Sequence, residues 1–79
     1  MPKSAPKKFH HRYLLGLAIR RRRQELGWSQ EHLAEIADVH RNFVGLVERG
    51  EQNVSFDSLV RFSASLKTSL GRLVDDAGL

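Results

Sequence analysis

The apolar positions of this chain fall into five short stripes of helical spacing, separated by glycine, serine and asparagine. From Arg12 onward Leu15, Ile19 and Leu26 recur at helical intervals, Leu14 and Ala18 widen the stripe, and Gly27 supplies a stop. Ser29 then offers a hydroxyl N-cap to a second helix of about two turns, with Leu33, Ala34, Ile36 and Ala37 as its inward face. Asp38-Val39-His40 interrupts it. Phe43, Val44 and Val47 mark a third helix that ends at Arg49-Gly50, where Gly50 is suited to a left-handed C-cap. Ser55 can cap a fourth helix with Phe56, Leu59, Val60, Phe62 and Leu66 as its buried stripe, and Ser69 a fifth through Leu70, Leu73 and Val74. No alternation of period two is long enough for a strand, so the predicted class is all-α with five helices. Residues 1–11 hold both prolines and three lysines without an apolar period, and read as a flexible basic arm ahead of a single domain at 12–79.

Length and composition narrow the function classes. A chain of 79 residues has room for one small core, since folds of this size bury only about 60% of their unfolded surface. The absence of cysteine excludes disulfides, cysteine-based zinc fingers and thiol catalysis, and suits a reducing compartment. No apolar run approaches the roughly 20 residues that span a bilayer, and MPKSAPKK lacks the apolar core of a secretory signal, so a soluble cytoplasmic protein is expected. The four histidines, His10, His11, His32 and His40, are not spaced with carboxylates as a metal or acid–base site would require, and no phosphate-cradling glycine loop is present. Neither an enzyme nor a cofactor is expected.

The net charge of +4 is polarised along the chain. Residues 1–24 hold eight basic residues and no acidic one, among them the run Arg20 to Arg23, whereas residues 25–79 hold five basic and nine acidic. Such asymmetry either marks a polyanionic partner or is a solvated charged tail. The stretch from Gln30 to Arg49 favours the partner. The small Ala34 permits two helices to cross closely, a tight turn follows, and Val39, Val44 and Val47 pin the second helix against the first. Those are the mechanical needs of a helix-turn-helix, whose second helix enters the DNA major groove.

In these features the chain resembles the lambda-repressor-like, Cro/Xre-type helix-turn-helix family. The resemblance runs from Leu15 to Val74 and rests on several pieces in order: Leu15-Gly16, Ile19-Arg20 and Arg23; Gly27-Trp28-Ser29-Gln30-Glu31 with Leu33-Ala34; Val47-Glu48-Arg49-Gly50; Ser55-Phe56-Asp57-Ser58-Leu59; and Ser69-Leu70 with Leu73-Val74. It implies a sequence-specific transcription regulator acting on double-stranded DNA. Stand-alone members of similar size and layout include restriction-modification controller proteins, which bind as homodimers. The family also contains antitoxins, so a protein-interaction module with a toxin or other protein partner is the alternative.

The resemblance also implies roles for single residues. Arg41 and Asn42, on the first turn of the recognition helix, and Leu46 one turn on, are expected to face base edges. Arginine can pair with guanine, asparagine with adenine, and an apolar tip can touch a thymine methyl. His40 either reaches the DNA or caps the helix. Gln30 is expected on phosphate, with Ser29 assisting or simply capping, and Asn53 and Arg20 are further phosphate candidates. Phe43 either lies beside the DNA or packs against the loop, while Trp28 is expected to staple the helix entry. Arg23 and Glu48 match an internal ion pair. Leu70, Leu73, Val74 and Leu79 are candidates for a two-fold interface, in competition with intrachain packing. Five positions depart from the family pattern. Asp38 and Lys67-Thr68 stand where glycine, or glycine and an apolar residue, are usual. Arg22 replaces an apolar residue, so its stem is expected to snorkel, and Gly45 lies inside the recognition helix.

Overall fold

The computed structural model describes residues 10–79, so the expected arm at residues 1–9 lies outside the described residues. Five helices follow one another: α1 (His10–Glu25), α2 (Gln30–Ala37), α3 (Arg41–Glu48), α4 (Phe56–Ser65) and α5 (Leu70–Asp76). His10 and His11, expected in the arm, form the start of α1 instead. Nothing in their sequence breaks a helix, and the His10 and Tyr13 rings stack at 5.9 Å.

Each of the four later helices is entered through a side-chain cap. The hydroxyls of Ser29, Ser55 and Ser69 accept from the backbone N–H of His32, Ser58 and Arg72 at 3.0–3.1 Å, and His40 Nδ1 accepts from that of Asn42 at 3.1 Å. One otherwise unpartnered amide per helix start is satisfied in this way. The helix ends use left-handed residues. Asp38 takes φ 57° after α2, and its N–H reaches the carbonyls of Ala34 and Glu35. Lys67 takes φ 59° after α4, where the Lys67 and Thr68 N–H groups donate to Ala64 and Ser63 at 3.1 and 3.0 Å. Both residues supply the left-handed conformation expected of glycine at these turns, so the turn into α5 survives the Lys67-Thr68 departure.

The core is drawn from every helix: Ala18 and Ile19, Leu33, Ala34 and Ala37, Val44 and Val47, Phe62 and Leu66, and Leu73, with Ala77 beyond α5. α3 packs on α1 and α2, α4 on α2 and α5, and α5 also on α1. Three residues assigned to the core are exposed instead, namely Ile36 (45%), Phe56 (68%) and Val60 (40%). α2 is two turns long and buries a narrow sector, which Leu33, Ala34 and Ala37 fill. On α4 the buried sector runs through Phe62, Ser63 and Leu66, and Ser63 satisfies its hydroxyl on the Val60 carbonyl at 2.8 Å. Leu73 is wholly inside the monomer, which corrects its assignment to a two-fold interface.

Two glycines set how closely α1 meets the end of α3. A Cβ on Gly16 would overlap the Val47 carbonyl oxygen and lie 2.6 Å from that of Glu48. Gly50, at φ 74°, lies where a Cβ would come within 2.7 Å of the Tyr13 backbone. No helix among the described residues is long and apolar enough to cross a membrane. Because only backbone surrounds the Gly16 site, Gly16→Ala should destabilise the fold by about 1–3 kcal/mol, measured by urea or thermal unfolding.

Candidate nucleic-acid interface

α3 is fixed at its C-terminal end and open at its N-terminal end. The Glu48 carboxylate, 5% exposed, accepts Arg23 Nε at 2.7 Å and Arg23 Nη2 at 2.9 Å in a bidentate pair. Arg23 also donates through Nη1 to the Trp28 carbonyl at 2.8 Å, and Gln30 Nε2 donates to Glu48 Oε1 at 3.0 Å. The expected internal ion pair is therefore present, and it reaches further than expected by including the α1–α2 turn and the first residue of α2.

At the other end of α3, Arg41 and Asn42 are exposed and Leu46 is half-buried. Gln30, Arg41, Asn42, Gly45, Leu46 and Arg49 together line one open depression of about 350 Å³. Three donor-bearing side chains expected on base edges or phosphate thus converge on a single surface. The one acid of α3, Glu48, is neutralised internally, which leaves Arg41 and Arg49 to set the charge of this face.

The remaining expected site residues fall in different places. His40 uses Nδ1 to cap α3, and Ser29 caps α2. Gln30 has one amide hydrogen on Glu48, and the Gln30 and Glu31 N–H groups precede the first helical hydrogen bond, from Leu33 N–H to the Ser29 carbonyl. Arg20 is exposed one turn beyond Gly16, on the side of α1 that meets α3. Phe43 is half-buried, with one face parallel to the buried Phe62 ring at 6.1 Å. It packs on a core residue, not on a loop. Trp28 is half-buried, with its ring edge-on to His32 at 4.9 Å and Lys67 Nζ 5.9 Å from its centroid.

Asn53 is exposed and lines a second groove with Leu15, Val54, Leu59, Val74 and Leu79. Of the proposed interface residues, Leu70 and Val74 are half-buried and Leu79 is exposed. Arg49 was not singled out from the sequence. Its spacing of four from Gly45 and eight from Arg41 was the available signal.

The helix-turn-helix family model matches residues 19–73, well over half of the chain. The chain belongs to the helix-turn-helix family. Among its relatives, the control protein C.SmaI of Serratia marcescens is 45% identical over 51 residues, which cover 65% of this chain and 61% of that protein. The control protein C.BamHI of Bacillus amyloliquefaciens is 37% identical over 65 residues, 81% of this chain and 80% of that one. The restriction-modification controller protein C.AhdI of Aeromonas hydrophila superposes with a TM-score of 0.77 at 34% identity, over 78% of this chain and 94% of that one. A hypothetical transcription factor from Neisseria superposes with a TM-score of 0.79 at 30% identity, over 94% and 85% of the two chains. This helix-turn-helix fold is that of a regulator family and not of an enzyme family.

The buried ion pair should dominate the response of this region to mutation. Glu48→Ala leaves the Arg23 guanidinium buried without its counter-charge and should lower stability by about 3–5 kcal/mol in denaturant unfolding. The double replacement Arg23→Met, Glu48→Leu should recover much of that loss, because no unpaired charge is left inside.

Proposed function

We propose that this chain is a sequence-specific DNA-binding transcription regulator of the controller type, acting in the cytoplasm with α3 in the major groove. The observation that carries the reading is the exposure of Arg41 and Asn42 on the first turn of a helix whose opposite end is clamped by Arg23 and Glu48. Arg41 reads guanine, Asn42 reads adenine and Leu46 supports an apolar contact deeper along the helix. The free α2 amides, the second Gln30 amide hydrogen and Arg20 hold phosphate and set the docking angle. Asn53 is a further phosphate contact on the adjoining loop.

One α3 reads only a few base pairs, so specificity calls for a second copy. Leu70, Val74 and Leu79 supply the apolar contacts of a homodimer on a pseudo-palindromic operator, with half-sites about one helical turn, roughly 34 Å, apart. The names of the relatives, two control proteins and a restriction-modification controller protein, support a regulator over a toxin-binding module.

Two measurements test the reading. Arg41→Ala and Asn42→Ala should each lose about 1–3 kcal/mol at one base position and relax the preference there, while Arg20→Ala should weaken all sequences alike and reduce the salt slope by about one. Indistinguishable behaviour of the two classes across a randomised operator library contradicts the assignment. Sedimentation equilibrium should show a dimer, and a monomer at every concentration, with and without operator DNA, removes the two-fold model.

A further inference from the structure

Arg41, Gly45 and Arg49 are each four residues apart and so form one row along α3. The missing side chain at position 45 makes a notch in that row. Arg49 lies back into it: Nη1 is 3.2 Å from the point a Cβ on Gly45 would occupy, and the Gln30 side-chain amide borders the same point at 3.9 Å. Arg49 Nε donates to Glu51 Oε1 at 3.2 Å, which engages one edge of the guanidinium and leaves the Nη1–Nη2 edge for another acceptor. Arg49 also lines the depression shared with Arg41, Asn42 and Leu46. An arginine just past the end of a recognition helix would ordinarily extend to the groove wall. Here the notch brings its charged end back by about one helical turn, level with the middle of α3.

We infer that Arg49, seated in the Gly45 notch and held at Nε by Glu51, is a further base-reading residue of this protein. Its target is the O6 and N7 edge of a guanine beyond the bases read by Arg41 and Asn42. The free distal edge and planar fork fit the O6 and N7 of a guanine as well as they fit a phosphate; the place of the guanidinium, level with the middle of α3 and beside Arg41, Asn42 and Leu46, is what favours the base. The inference rests on the groove-docking reading above. It gives a use to a glycine inside α3, a residue unfavourable to helices: a Cβ there would press the guanidinium aside by a few tenths of an ångström, and a larger side chain would take its place.

The test is selection from randomised duplex DNA, with affinities then measured for single base-pair changes. Arg49→Ala should lose about tenfold in preference or more at one base pair that Arg41→Ala and Asn42→Ala leave unaffected. Arg49→Lys keeps the charge but not the fork, and should lose the same preference while retaining binding to non-specific DNA. Gly45→Leu fills the notch with a strong helix former, so thermal melting should show no loss of fold, yet the same base pair should lose its preference. Adding Gly45→Leu to Arg49→Ala should cause no further loss at that pair. A uniform loss across all sequences in Arg49→Ala, or an unchanged preference in Gly45→Leu, overturns the inference while leaving the groove reading intact. An unchanged operator in Arg41→Ala as well overturns both.

Discussion

The Glu48 carboxylate accepts three hydrogen bonds from two other helices, two from Arg23 of α1 and one from Gln30 of α2. A carboxylate this deeply buried is tolerable only when fully partnered, and those partners meet only when α1, the start of α2 and the end of α3 come together in one arrangement. Gly16 permits it, because the α1 backbone there runs directly against the last carbonyls of α3. The recognition helix is thereby held at its far end and by its apolar stripe, Val44 and Val47, so its first turn can protrude without being loose. Precise presentation of a few side chains on a rigid element is what groove reading requires.

The same geometry sorts the arginine run. Four consecutive residues sweep the whole circumference of α1, and each meets a different neighbour. Arg23 faces Glu48. Arg22 donates through Nε to the Leu66 carbonyl at 2.8 Å and through Nη2 to the Lys67 carbonyl at 3.3 Å, capping the C-terminal end of α4. Arg21 donates to the Asp76 carbonyl at the end of α5 at 3.1 Å. Cations at helix C-termini offset both the unpaired carbonyls and the negative end of the helix dipole. Three of the four arginines therefore bind the helices to one another, and Arg20 alone of the run has a place in the phosphate contacts assigned to this protein. A basic stretch in a sequence can raise affinity for nucleic acid, but here much of it is a packing device. Arg22 snorkels as expected, toward carbonyls and not only toward water.

The helix count, the serine caps, the breaks at Gly27, Asp38 and Gly50 and the Arg23–Glu48 pair were all legible before any coordinates, because each depends on local chemistry or on a spacing that the family shares. The exposure of Arg41 and Asn42 was legible for the same reason, since position on the first turn of α3 decides it. Errors arose where one face of a short helix had to be chosen. Ile36, Phe56 and Val60 follow the apolar pattern, yet a helix of only eight or ten residues buries a sector narrower than its apolar stripe. Leu73 erred in the opposite direction, because a helix as short as α5 must place its central leucine inward to be held at all.

By itself the sequence determined the fold class, the element order and which helix presents Arg41 and Asn42 on its first turn, because capping, periodicity and turn chemistry act between near neighbours. Only the tertiary structure decided how four adjacent arginines divide their tasks, and that His40 and Phe43 serve α3 and the core. It also brought Arg49 back beside Gly45 and placed Asn53 on a separate groove. The contacts of the arginine run depend on surfaces that meet across 25 to 55 residues of chain, and no local pattern encodes that.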